Sequence, residues 1–239
     1  MASPEGRGKV GRPPRISRQA IAEAAHELGL DGLTLRDVAD HLGVSIAALY
    51  HHVSGKDDLM RLAAEYTAAR VPRPADRGQH WAVWLYEWAV YNFDAFVSQP
   101  GLLAQYLDGA ISAEAIADNV DTILGVLVRQ GFSPLAANEA YELVTSCALG
   151  LAVTAIRERR AEADGRPTAE AFRQLLAGRD PGELVHLRRL LDEVAAAGRA
   201  PFHARIATVL RGIALEHDQD WEPIAALLDE AAAALPAPA

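Results

Sequence analysis

The chain has 239 residues, half of them hydrophobic and 23% charged, with a single cysteine, Cys147. That is the composition of an ordinary globular chain of one or two domains, and it excludes a disulfide framework or a cysteine-based zinc site. The net charge of −9 is uneven: residues 1–18 carry +4, residues 19–71 carry −4, and the remaining 168 carry the whole deficit. A basic arm on an acidic body fits a nucleic-acid-binding terminus, although a terminal charge run is also a common solvated tail. No apolar segment follows the basic residues as in a secretion signal, and the longest apolar run, 147–156, falls short of the roughly 20 residues of a membrane span. The expected location is the reducing cytoplasm, with no membrane partner.

Helical periodicity dominates and no stretch alternates like a strand for long, so the expected class is all-α. Ser17 is a helix cap before the apolar series Ile21, Ala24, Ala25 and Leu28, which Gly29 and Gly32 close. Thr34 caps a second, short helix with Leu35, Val38, Ala39 and Leu42 inward. Gly43 breaks it, and Ser45 caps a third helix to about His51. Residues 56–71 read as a fourth helix with Leu59, Leu62, Ala63 and Tyr66 inward, and the proline-punctuated segment 71–75 reads as a hinge.

Beyond the hinge, the helix at 79–99 is apolar nearly all round. Trp81, Trp84, Leu85, Trp88 and Tyr91 fall on one side, Val83, Tyr86, Val90, Phe93 and Val97 on the other, and only His80, Glu87 and Asp94 mark a polar edge. Such a helix belongs in the middle of a domain. Pro100 and Gly101 end it. Helices follow at 102–107, 113–130 and 134–163, the last with Ser133 as cap and Pro134 at its first position. Its stretch 147–156 holds Ala148, Gly150 and Ala152, small enough for another backbone to come near. A short helix at 169–176, one at 184–197, an amphipathic one carrying Phe202, Ile206, Val209, Leu210 and Ile213, and a surface helix at 221–235 complete the reading; residues 236–239 are a frayed end.

The most specific segment is 33–59. Two short helices are joined by a tight turn at Gly43, with Val38, Ala39, Leu42, Val44 and Leu49 as the small core that fixes their angle, which is a helix-turn-helix. The second of them presents Ile46, Ala47, Ala48, His51 and His52, short or flat side chains that let a helix enter a groove about 12 Å wide.

Four motifs within residues 17–66 carry a resemblance: Leu33-Thr34-x-Arg36, Val38-Ala39-x-x-Leu42-Gly43-Val44-Ser45, Leu49-Tyr50-x-His52-Val53 and Lys56-x-x-Leu59. In them the chain resembles the tetracycline-repressor (TetR) family of one-component bacterial transcriptional regulators. The resemblance implies a basic flexible arm at 1–16, a three-helix DNA-binding domain at 17–71, and an all-α effector-binding and dimerising domain at 76–239. It also implies a repressor that binds a palindromic double-stranded operator as a homodimer and is released by a small, mostly apolar effector.

Carried over residue by residue, Thr34, Tyr50 and Lys56 match phosphate contacts, although Thr34 is also a helix cap and Tyr50 could be core. Arg36 matches a base-reading position, where a guanidinium suits guanine, or else pairs with Asp40 one turn on. Ser45, Ile46, Ala47 and Ala48 occupy the reading helix. The last three depart from the more polar residues of relatives, which favours contact with thymine methyl groups. His52 aligns with an aromatic or histidine position near phosphate, and His51 stands beside it. Arg12 and Arg15, set in a proline-stiffened arm, resemble a minor-groove element.

The body matches no ligand class. Asn92 shares an arc with Trp81, Leu85 and Trp88, so a polar amide is expected among indole rings, met by a backbone carbonyl, a water or a ligand stacked on Trp84 or Trp88. Tyr106, Asn119, Ile123 and Thr145 are further candidates for that pocket. Dimerisation is expected through residues 148–156 and 202–213, from their excess apolar surface. Glu23-x-x-His26 and Glu183-x-x-His186 have the spacing of di-iron bundles, but no inward glutamate partners accompany them. No catalytic residue, metal or cofactor is expected, and Cys147, in an apolar helix, reads as an inert thiol.

Overall fold

The computed structural model describes residues 16–197 and 202–235, which form twelve α-helices and no strand among the described residues. The head consists of α1 (Arg18–Leu28), α2 (Leu35–Leu42), α3 (Ile46–Leu49) and α4 (Lys56–Ala68). The body follows with α5 (Trp81–Ser98), α6 (Pro100–Leu107), α7 (Ala113–Arg129), α8 (Pro134–Ala163), α9 (Thr168–Ala177), α10 (Val185–Ala197), α11 (Phe202–Glu216) and α12 (Trp221–Ala234).

The caps set the boundaries. Ser17, Thr34, Ser45 and Ser133 each accept a backbone N–H of the first turn of α1, α2, α3 and α8, filling donors that a helix start leaves open. Gly43 ends α2 in the left-handed region at φ 65°, where a side chain would be strained. Two expectations change here. The third helix is one turn, ending at Leu49 rather than near His51, because the following residues tighten into i→i+3 bonds such as His52 N to Leu49 O at 2.8 Å. Pro100 and Gly101 open α6 at once after α5, since proline fits a first helical position.

Two hydrophobic clusters hold the chain. The upper one surrounds the first half of α5 with α7, α8, α11 and α12; Trp81, Trp84, Leu85, Leu127, Val144, Ile206 and Leu228 lie at its centre. The lower one joins Ala24, Ala25, Leu49, Leu59 and Ala63 of the head to Phe93, Phe96, Leu102 and Ile156 of the body. It therefore draws on both sides of the proline-rich segment. Gly101 makes this junction close: a Cβ there would stand 2.7 Å from the backbone carbon and the Cβ of Leu30, in the loop between α1 and α2.

The last helix is a core element rather than a surface one, with Ile224 and Leu228 buried against α5 and α11. The apolar stripe of α11 is also consumed within the chain: Ile206, Leu210 and Ile213 are buried. That corrects the idea that this stripe is surplus surface. Among the described residues α8 is long and apolar enough, by length and composition alone, to cross a membrane, despite the shortness of its uninterrupted apolar run. It carries Glu139 and Glu142 in its first half and packs on α5, α7 and α11.

Candidate DNA-reading head and ligand cavity

The reading helix is fixed by its main chain. Val44 N donates to Ala39 O at 2.9 Å and Ala48 N to Ser45 Oγ at 3.2 Å, while Leu49 is fully buried as the anchor. This leaves Ala47, Tyr50 and His51 exposed and Ile46, Ala48 and His52 half-exposed on the head's surface. Tyr50 is 54% exposed, so it is not a core residue. Arg36 is exposed and forms no ion pair with Asp40 among the described residues. Thr34 caps α2 with a reciprocal pair: Asp37 N donates to Thr34 Oγ1 at 3.2 Å and Thr34 N to Asp37 Oδ2 at 2.9 Å. The Thr34 hydroxyl donates to the same carboxylate at 2.6 Å. These bonds hold Asp37 below the usual carboxylate range. The threonine proton is thus already used within the cap.

One organising group lies outside the sequence-based candidates. Arg18 spans both Asp58 oxygens at 3.0 and 3.3 Å and also donates to the His52 carbonyl. Ser54 N donates to Asp58 at 2.9 Å and Arg61 at 2.6 Å. The start of α1, the exit of α3 and the first turn of α4 are tied to one carboxylate, which Arg18 first, then Ser54 and Arg61, hold far below its ordinary range. The signal available in the sequence is a serine four residues before an aspartate at a helix start. Lys56, the first residue of α4, is exposed beside it. Arg12 and Arg15 lie outside the described residues.

The body holds a cavity of about 260 Å³ beside the second half of α5. Trp88, Asn92, Tyr106, Asn119 and Thr145 line it, as the sequence suggests. Trp81, Trp84 and Ile123 do not: all three are about 1% exposed inside the upper cluster. A helical wheel of α5 places Trp81 and Trp84 on the right arc, but the cavity begins a turn further along the axis. Trp81 Nε1 instead donates to Gln219 Oε1 at 2.7 Å, and its ring meets Phe132 edge-on. Trp88 is near-parallel to Trp84, one turn earlier at 6.2 Å, and to Tyr91, one turn later at 4.8 Å. Asn92 Nδ2 donates to the Trp88 carbonyl at 2.8 Å, the bland partner allowed for it. The sequence reading missed Tyr141 on α8, Phe96 on α5, and Glu65, Ala68 and Ala69 on α4.

A larger cleft, about 730 Å³, opens between Lys56, Asp57, Asp58 and Arg61 of α4 and Gln105 and Asp108 near the end of α6. It is an open, carboxylate-rich surface, whereas the smaller cavity has aromatic walls and fully buried polar atoms, the marks of a small-molecule site. Among the described residues no group of metal-ligating side chains converges. His26 Nδ1 is bonded to Thr67 Oγ1 at 3.0 Å, and Glu183 pairs with Arg179.

A capped helix-turn-helix carried by a helical body with an aromatic cavity defines a DNA-binding transcriptional regulator. Residues 18–63 match the model of the bacterial regulatory proteins of the tetR family. The chain is 33% identical over 168 residues to the class D tetracycline repressor protein from Escherichia coli, spanning 65% of this chain and 73% of that one. It is 25% identical over 213 residues to the HTH-type transcriptional repressor DrrR1 of Streptomyces coeruleorubidus, spanning 87% and 74%. The fold is similar to that of the Streptomyces coelicolor TetR family protein ActR in complex with actinorhodin, with a TM-score of 0.67 and 18% identity over 84% of this chain and 96% of that one. The chain belongs to the TetR family of bacterial regulatory proteins.

Proposed function

We propose that two copies of this chain bind a two-fold symmetric DNA site through α3 and leave it when a small, mostly apolar molecule fills the cavity beside α5. The observation that carries this reading is α4. Its Lys56 end stands beside the reader, tied to it through Asp58, while Glu65, Ala68 and Ala69 near its other end line the cavity. A molecule that reshapes the cavity displaces the helix that positions the reader. Leu102 and Tyr106 of α6 line the same cavity, and α6 abuts the head at Gly101. Arg36, Ile46, Ala47, Ala48 and His51 are assigned to base edges, and Tyr50, His52, Lys56 and the Thr34 end of α2 to phosphates, with Arg12 and Arg15 in the minor groove. The division into arm, head and body at residues 16 and 71–75 belongs to the same reading. The cavity's polar groups come from Trp, Tyr, Thr and Asn, with Glu65, paired to Arg61, and Arg73 contributed by α4 and the segment after it, a set that suits binding.

The pairing face is assigned to α8 and α11, though on different sides from the stripe first considered. Leu143, Ser146, Gly150 and Val153 recur at helical spacing on the exposed side of α8, and Ala204, Thr208, Gly212 and Leu215 do so on α11. A Cβ on Gly150 or Gly212 would meet nothing within 4 Å. Glycine in a helix costs about 1 kcal/mol relative to alanine, and nothing inside this chain uses that cost. A second copy's backbone approaching closely does.

The test is selection of bound duplexes from a random library, followed by sizing of the complex. A palindrome with half-sites about 34–36 Å apart and two chains per duplex is expected. Enrichment of an asymmetric site bound by one chain overturns the reading. Coupling is tested by titrating a ligand with and without that duplex, since each must weaken the other by the same factor.

A further inference from the structure

The inner end of the cavity carries more hydrogen-bond donors than the fold uses. Trp88 Nε1 and Thr145 Oγ1 are buried without a partner, in residues only 4% and 8% exposed. Both lie near half-buried Tyr141, whose ring centroid is 6.5 Å from that of Trp88 and whose pKa burial raises. The indole N–H can only donate, and each hydroxyl brings one O–H. The indole proton of Trp88 is therefore unspent and the Thr145 hydroxyl is unpartnered, whereas buried polar groups are rarely left so.

The rest of the cavity restricts what can take that proton. Tyr91, Phe96, Leu102 and Val120 give it apolar walls. Trp88 lies near-parallel to Tyr91 at 4.8 Å, and its Nε1 is the donor that a guest beside it can reach. The charged lining residues, Glu65 and Arg73, belong to α4 and the segment after it, and Glu65 is paired with Arg61 at 3.5 Å. A carboxylate seated among Trp88, Tyr141 and Thr145 would meet no cation from the lining residues of α5 and α8, Arg73 standing on the segment after α4, and an unpaired anion is costly to bury. The volume of about 260 Å³ lies just under the roughly 300–1,000 Å³ of sites for drug-sized molecules, which points to two or three fused rings.

We infer, on the reading that this cavity is the effector site, that the effector class is the uncharged, flat aromatic carbonyl compounds, whose carbonyl oxygen accepts from Trp88 Nε1 and Thr145 Oγ1. The rings fill the apolar part of the cavity and the oxygen takes the unspent proton.

The probes are fluorenone, fluorene, which lacks the oxygen, and fluorenone carboxylate. Each is titrated into the full chain by calorimetry. Fluorenone is expected to bind about tenfold tighter than fluorene and about tenfold tighter than the carboxylate. Thr145→Val, of nearly the same shape, is expected to erase most of the preference for fluorenone and leave fluorene affinity unchanged. Trp88→Phe does the same where a thermal melt shows it folded. Equal binding of fluorenone and fluorene, tighter binding of the carboxylate, or no binding of fluorenone overturns the inference. A separate arm adds the selected duplex. Fluorenone that prefers the wild-type cavity yet leaves DNA bound supports the ligand class and sinks the effector reading. Fluorene and fluorenone that bind equally and both release DNA do the reverse.

Discussion

The lower and upper clusters are built from different material. In the lower one, Ala24, Ala25, Ala39, Ala63 and Ala64 bring short helices together with little side-chain bulk between backbones, and caps and one glycine decide where α3 lies. In the upper one, Trp81, Trp84, Tyr86 and Trp88 of α5 hold five helices apart by the size of their rings. Packing stops short where α5 passes from one cluster to the other, and the cavity lies there. Small residues at fixed spacing give one arrangement for a reader, whereas large rings with a gap give a space that a guest can complete.

The comparison predicts where substitutions act. The largest effect is expected from Gly150→Leu or Gly212→Leu, on faces neither cluster uses. Sizing chromatography should show monomers with an unchanged helical circular dichroism spectrum, and duplex affinity should fall by at least a hundredfold as one reader replaces two. Unchanged dimers would remove these faces from the interface.

Gly101→Ala strikes the junction of the two clusters. The added carbon has to move Leu30 or α6, at about 1–3 kcal/mol of overpacking. The thermal midpoint should drop, and DNA affinity should change without ligand. A variant as stable as wild type would show that the junction yields.

Asp58→Asn loosens the lower cluster alone. Charge-assisted bonds of this kind are worth about 1.5–3 kcal/mol when buried, and Arg18 and Arg61 are nearly half exposed, so a loss of about 1–2 kcal/mol is expected in urea unfolding. The sign with pH follows from the lowered folded pKa. The contribution is whole at neutral pH, begins to fade as pH falls below about 4, the unfolded value, and is gone once pH falls through the folded one. The variant should lack that acid-side loss.

The most local effects, each confined to one contact with DNA, belong to the exposed surface of the head. Arg36→Ala should cost about 1–3 kcal/mol at one base pair and relax preference there, whereas Lys56→Ala should weaken all sequences alike and lower the salt slope by about one. Binding measured on single-base variants at several salt concentrations separates the two, and a Lys56→Ala change in base preference would reverse the assignments.

The head was legible in the sequence because its structure is local. Ser17, Thr34, Gly43 and Ser45 act on neighbours within four residues, so their spacing states the result. The clamp on Asp58 was not, since Arg18 arrives from 40 positions away. In the body, a buried α5 followed from its lack of a polar face, and Trp88, Asn92 and Thr145 were placed correctly at the cavity. Trp81 and Trp84 were not, because a wheel records angle and not height along the axis. The stripe of α11 was read as surplus because no periodicity tells whether a neighbour in the same chain already covers it. Glu65, Ala68 and Ala69 carry no chemical signal of their own; only the approach of α4 to α5 and α8 brings them to a ligand.

The contact at Gly101 sets how faithfully movement passes between body and head. Side chains facing each other absorb small shifts by changing rotamer, like a soft coupling. At Gly101 the α6 main chain lies against Leu30 with no side chain of its own between, and main chain has no rotamer to change. A displacement of α6 by a fraction of an ångström therefore arrives at the α1–α2 loop nearly undiminished. The same lack of compliance works backwards, so a head held in place holds α6, and with it the cavity wall at Leu102 and Tyr106, to one setting.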